Sequence, residues 1–475
     1  MSRSQKIFLS IGVVLSICAA GFFWWQAEQT KRFFASHLPE VPDLADKHPE
    51  LRTSVKQAHE NILSGVQAVS NLSNLAQLYH VNGYLNEAIE AYGLLTRAAP
   101  SDPRWHHLLA DIQAGFGLLD EAVQHWQRAS ALDSEYLPVV IKMGEALEKK
   151  GDYDAARQAF EQALILHRTN SYAKTGLARI ELELGDPTAA KNLLLQVTQS
   201  EPDFKPAWRL LQRVYQALGD EEKALLAMDK GEGALVQLAD PWLEKTLDYC
   251  YDSYRLTVEA AIKTDVGLRK EAMPLLLRAV EVAPDDGFAH RQLGKLSHEL
   301  RDINQAFHHL EKATTLDRED PDSWVALIEV YRFTNDNKAA DDSLAKGLSY
   351  NPDSPSLNLM RARERMKQRQ NQEAKAYLEK VIRLSPQNVS AYIDLAGVHF
   401  RFGDLASAQT SLEAALKAEP NHPMATVIYA RYAIGEFPKD QAVKHVQAAL
   451  ANRKVSTKEK TELKQIFETK YGHQP

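Results

Sequence analysis

Residues 151–164 read GDYDAARQAFEQAL, and three of their positions, Gly151, Ala156 and Phe160, decide the fold. Stepping outward from Ala156 by 34 residues lands on alanine every time, at Ala88, Ala122, Ala190 and Ala224. After a 14-residue offset the beat resumes at Ala272, Ala306, Ala340, Ala374, Ala408 and Ala442. A fixed period of this length over eleven blocks is the mark of a repeat array. With the first block starting at Val69, the alanine is position 20, and position 8 is also small: Ala76, Ala110, Gly144, Ala178, Ala260, Gly294, Ala362, Ala396 and Ala430. Glycine recurs at position 15, as Gly83, Gly117, Gly151, Gly185, Gly219, Gly267 and Gly403. Two antiparallel helices approach closely only where side chains are small, so positions 8 and 20 form the seam of a helical hairpin. The glycine suits the turn because it accepts a positive φ. Large side chains at position 24 (Tyr92, Trp126, Phe160, Leu194, Met228) fill the space around that seam, and prolines such as Pro100, Pro202, Pro352 and Pro420 stop the second helix.

These blocks, among them GDYDAARQAFEQAL and LGDEEKA (218–224), resemble the tetratricopeptide repeat from Val69 to about Asn452. The resemblance implies an all-α, right-handed superhelical solenoid of about eleven helix-turn-helix repeats, with the first helix of each repeat (A) lining a concave face and the second (B) outside. It also implies that positions 2, 5, 9, 12 and 13 of helix A line the groove. The expected layout is an N-terminal anchor (1–25), a linker with a capping helix (26–68), repeats 1–5 (69–238), an inserted helical segment (239–252), repeats 6–11 (253–455) and a C-terminal capping helix (456–475). The chain has 475 residues, more than one compact core usually supports, but a repeat array uses such a length as one body.

Composition narrows the function. The formal net charge is -7 and no lysine- or arginine-dense tract stands out, which argues against a nucleic-acid partner. Two cysteines, Cys18 and Cys250, build neither a disulfide framework nor a thiolate metal site. Residues 7–25 form an apolar run of membrane-spanning length, preceded by Arg3 and Lys6 and closed by Phe22, Phe23, Trp24 and Trp25. It reads as a transmembrane signal-anchor; a cleaved signal peptide is the alternative, since Cys18-Ala19-Ala20 offers small residues. The expected location is the inner membrane of a bacterial cell, single-pass, with the repeats outside the cytoplasm.

The chain carries no constellation expected of an enzyme. His59-Glu60 has Leu63 where a zinc-protease helix needs histidine, and there is no phosphate loop, GxSxG elbow or haem-attachment CxxCH. No cofactor or metal is expected, and histidines such as His106-His107 and His308-His309 read as surface or packing residues. The groove then carries the function. Position 9 reads Gln77, Asp111, Glu145, Arg179, Arg213, Ala261, Lys295, Glu329, Arg363, Gly397 and Arg431. Arg179, Arg213, Lys295 and Arg363 of this set, with Arg209 and Arg291 continuing the same basic track, are candidates for gripping an acidic segment or a chain terminus of a protein partner; the alternative is that they pair with neighbouring carboxylates of the chain itself. The segment ADPWLEKTLDYCYD (239–252) breaks the period, either as an extra helix that re-aims the superhelix or as a partner-binding or hinge element. The expected activity is that of a membrane-tethered binding scaffold, with a self-associating spacer as the alternative.

Overall fold

The computed structural model describes residues 28–29, 31–233 and 237–475. The apolar run 7–25 lies outside them; among the described residues no helix is long and apolar enough to cross a membrane. Described elements are helical throughout, and the predicted hairpins fall where the 34-residue register puts them: Ala68–Val81 with Leu85–Ala98, Pro103–Gly115 with Leu119–Leu132, Leu137–Lys149 with Tyr153–Leu166, and so on to Pro423–Glu436 with Lys439–Ala451. The chain divides into two units, one ending at Pro284 and one beginning at Asp285. Each is an all-helical solenoid of stacked hairpins.

Local chemistry starts and stops these helices. Asp152, Asn170, Asp186 and Asp220 each accept a backbone N–H from the third residue on, satisfying a donor that the first turn cannot bond internally. Proline occupies the first helical turn at Pro103, Pro187, Pro321 and Pro355, where its missing N–H costs nothing. The turn at position 15 is left-handed, as the glycines suggest. Where glycine is absent, Arg301, Asn335 and Arg369 still adopt φ of 68°, 61° and 60°. In repeats 7–9 the hairpin geometry thus imposes the conformation on a residue with a side chain, whereas Phe437 at the same position of repeat 11 is extended, with φ of -95°.

Packing follows the small-residue seam. Phe160 lies fully buried between Gly144 of its own helix A and Gly176 of the next repeat, where an added Cβ would meet the ring at 2.8 and 2.4 Å. Burying such a ring contributes roughly 2–3 kcal/mol. In the first unit, helix Pro49–Ser64 caps repeat 1, and Phe34 and Leu44 of the preceding segment are buried in the same cluster. In the second unit, helix Thr457–Tyr471 covers repeat 11 with Leu463 and Phe467. Its start is the capping box that Ser456 and Glu459 suggested.

The insertion departs from the sequence expectation. It forms only a four-residue α-turn, Pro241–Glu244, and a 3-10 turn, Lys245–Tyr249. These run back along the A helices of repeats 1–3 as a strap.

Candidate functional site

Helix A of repeats 1 to 3 presents Asn74, His80 and Asn82, then His107 and Asp111, then Lys142, and the strap lies across these side chains. Its contacts are of two kinds. One reads the backbone: the Asn82 amide donates to the Tyr249 carbonyl at 2.9 Å and accepts the Tyr251 N–H at 2.8 Å. Tyr249 adds a side-chain bond, its hydroxyl donating to Asn74 Oδ1 at 3.0 Å. Tyr251 stacks on the His48 ring with centroids 5.3 Å apart.

The other kind reads a carboxylate. Asp240, 3% exposed, receives His107 Nε2 at 2.8 Å, the Lys142 ammonium at 2.9 Å and the Tyr136 hydroxyl at 2.7 Å. Trp126 Nε1 donates to His107 Nδ1 at 3.1 Å, so the proton of neutral His107 sits on Nε2 and points at Asp240. Burial alone would raise the Asp240 pKa, but the His107 hydrogen bond and the Lys142 charge hold it well below the usual carboxylate range. Lys142 is shared with Asp111, and the two carboxylates outweigh burial in keeping it charged. Beside this knot the Trp242 indole stacks flat on Tyr136, centroids 3.5 Å apart and planes 5° apart, and the Trp242 backbone N–H donates to the Tyr136 hydroxyl at 3.0 Å. A cavity of about 210 Å³ remains between His80, Asp111, the strap and Arg255 of repeat 6.

Asp240 does start a helix, accepting the Leu243 N–H at 3.3 Å, as its Asp-Pro step suggested. Its reach into the groove was not foreseen, nor was the role of fully buried His107. The available signal was the pairing of an Asp-Pro-Trp break in the period with histidine at position 5 and lysine at position 6.

The six predicted groove cations sit apart from this knot. Arg179 grips Glu148 through two nitrogens, Nε at 2.8 Å and Nη2 at 2.9 Å. Arg213 pairs with Glu183 at 3.1 Å, and Arg363 with Asp394 at 2.6 Å. Arg291 pairs with Asp320. Arg209 caps the end of helix Glu221–Gly231, donating to the Gly231 and Gly233 carbonyls at 2.9 and 2.8 Å. Lys295 is exposed. Five of the six thus engage groups of the chain itself.

Three stretches, 115–180, 147–215 and 365–432, match the tetratricopeptide repeat family model. Those stretches are tetratricopeptide repeats. This repeat array is similar to human protein O-mannosyl-transferase TMTC3, 25% identical over 327 residues covering 68% of this chain and 31% of the relative. It is also similar to cellulose synthase operon protein C of Pseudomonas fluorescens, 22% identical over 432 residues covering 79% of this chain and 33% of the relative. The chain thus spans about a third of the length of these curated relatives. Among solved structures it is similar to yeast Tom70, with 15% identity, a TM-score of 0.40, and coverage of 85% of this chain and 96% of that one. Tetratricopeptide-repeat proteins are protein-interaction scaffolds, and the strap contacts fall at positions 5, 6, 13 and 14 of repeats 1–3.

Proposed function

We propose that this protein is a non-catalytic adaptor, tethered to a bacterial inner membrane by residues 7–25, whose right-handed repeat superhelix faces away from the cytoplasm and holds an extended segment of a partner protein in envelope assembly or secretion. One observation carries the reading: the A-helix face of repeats 1–3 already holds a segment of chain that is not part of a repeat, gripping its backbone through Asn82 and its carboxylate through His107 and Lys142. A surface that reads both features in its own strap has the chemistry to read them in a partner. The likeness to cellulose synthase operon protein C supports an envelope setting.

Because the strap fills repeats 1–3, the partner segment binds the A helices of the second unit, where Lys295, Arg363 and Arg431 stand exposed at position 9. The test is cross-linked pull-down of the intact membrane protein, comparing wild type with a Lys295→Glu/Arg363→Glu/Arg431→Glu variant. Loss of the cross-linked partner is expected. Unchanged recovery would reject the groove and favour the alternative, a spacer that acts through other faces.

A further inference from the structure

Position 24 of helix B is the side chain that a repeat inserts between its own helix A and the helix A of the following repeat in the same unit, as Phe160 does between Gly144 and Gly176. In ten of the eleven repeats, from Tyr92 to Val446, it is at most 2% exposed. In repeat 5 it is Met228, 44% exposed, and Leu225 one turn earlier is 53% exposed. The cause is the strap. After repeat 5 the chain turns back along repeats 1–3, and the next helix A, Ser253–Asp265, sends Arg255 to the Val81 carbonyl of repeat 1 at 3.0 Å. Repeat 5 therefore ends a stack without the helix that covers this position in repeats 1–4. Solenoid ends left bare of a polar cap are adhesive.

The rim of this face is acidic. Glu221, Leu225, Met228 and Glu232 follow at intervals of four, three and four, so they share one side of the helix, with Glu222 and Asp229 beside them. All six are exposed. The platform is held in place: Arg209 ties down the helix end, and the Lys230 ammonium lies 4.3 Å from the Trp208 ring centroid.

We propose that the outer face of helix Glu221–Gly231 is a docking site for an amphipathic helix of a partner protein, one with an apolar strip flanked by lysine or arginine. The strip replaces the missing helix A, and the basic flanks meet Glu221, Glu222, Asp229 and Glu232. A second copy of this chain fits poorly, because pairing the face with itself sets carboxylates against carboxylates. The proposal is independent of the concave groove.

The chain supplies its own probe. Helix Lys205–Ala217 performs the covering role one repeat earlier, over fully buried Leu194, and carries Lys205, Arg209 and Arg213. A fluorescent peptide of residues 203–218 is titrated with the full chain and followed by anisotropy. Binding is expected, weakened roughly tenfold when those three peptide residues become glutamate, and equally by Leu225→Glu/Met228→Glu in the protein. Both protein positions are exposed, so the variant keeps its helical melting curve, which circular dichroism checks. Absence of binding, equal binding of both peptides, or undiminished binding to the variant overturns the proposal. So does a dimer seen by sedimentation that the variant dissociates.

Discussion

The A helices of repeats 1–3 and those of repeats 7–11 share one backbone and one register, yet their charged groups live under opposite conditions. In the first region Asp240 is sealed in a knot of His107, Lys142 and Tyr136; in the second, Arg363 meets Asp394 at an exposed edge. Geometry is good in both. Burial decides the energy, because a buried charge that loses its partner has no water to turn to, whereas an exposed one is resolvated at once. The sharpest way to break the comparison is to cut one charge on each side. Asp240→Ala leaves Lys142 and His107 facing a buried gap and should cost about 3–5 kcal/mol in urea unfolding of the first unit. Hydrogen exchange should rise across 237–252 and around Asn82. Arg363→Ala should cost less than about 1 kcal/mol. Equal effects would show that the strap rests lightly on the groove.

The hairpin seam offers a second contrast, between two glycines on helix A. A methyl group on Gly176 would come 2.4 Å from the Phe160 ring, while one on Gly397 meets only the end of Met366 at 3.8 Å. Gly176→Ala should therefore destabilise by about 1–3 kcal/mol through overpacking. Gly397→Ala, in mid-helix and unobstructed, should stabilise by roughly 0.5–1 kcal/mol. Thermal melts of the two variants should move in opposite directions.

The fold was legible in the sequence because repeated hairpins need the same small residue at the same place, and eleven alanines in phase report that directly. Charge pairing was not legible to the same depth. Position 9 located Arg179, Arg213 and Arg363 on helix A, but whether each meets Glu148, Glu183 or Asp394 depends on residues 30 or 31 away in the chain and on side-chain reach. The strap was harder still. Its break in period was visible, whereas its path back across the chain, from Asp240 to His107 over 133 residues, is set by tertiary contacts that no local pattern encodes. Met228 shows the same limit: it occupies the correct core position and is bare only because the chain turns away.

Histidine pairs sharpen the comparison differently, because both regions contain one. His106 and His125 of repeat 2 bring their Nδ1 atoms to 3.0 Å, and His290 and His309 of repeat 7 do so at 2.9 Å, at the same repeat positions. Burial pushes His106 down to about 4, helped by His125 and Arg128; burial likewise pushes His309 to about 4, helped by His290, His308 and Lys312. Unfolded histidine titrates near 6.5, so between about 4 and 6.5 the unfolded chain binds more protons than the folded one. Stability is complete above that window and falls as pH drops through it. Melting temperature should decline from about pH 7 to about pH 5, before most carboxylates titrate, and His106→Gln/His309→Gln should flatten the slope. A slope unchanged by the double variant would assign the decline to other groups.

The smallest expected effect lies in the turns. Repeats 1–6 place glycine at every position 15, while repeats 7–9 force Arg301, Asn335 and Arg369 into the left-handed region. For a residue with a Cβ that conformation costs roughly 1–2 kcal/mol, partly offset by the smaller entropy an arginine loses on folding. Arg301 recovers some of the cost by lying over the Phe333 ring at 4.6 Å. Arg365 uses its guanidinium to bond Gln368 and Gln370 across the repeat 9 turn, so Arg369 is the cleaner site to change. Arg369→Gly should raise stability by a few tenths to about 1 kcal/mol, and Arg301→Gly by less. Chemical denaturation midpoints resolve that ordering. If Arg369→Gly instead destabilises, the second region tolerates its left-handed turns through contacts that glycine cannot supply, and the two regions differ in turn chemistry as well as in what fills the groove.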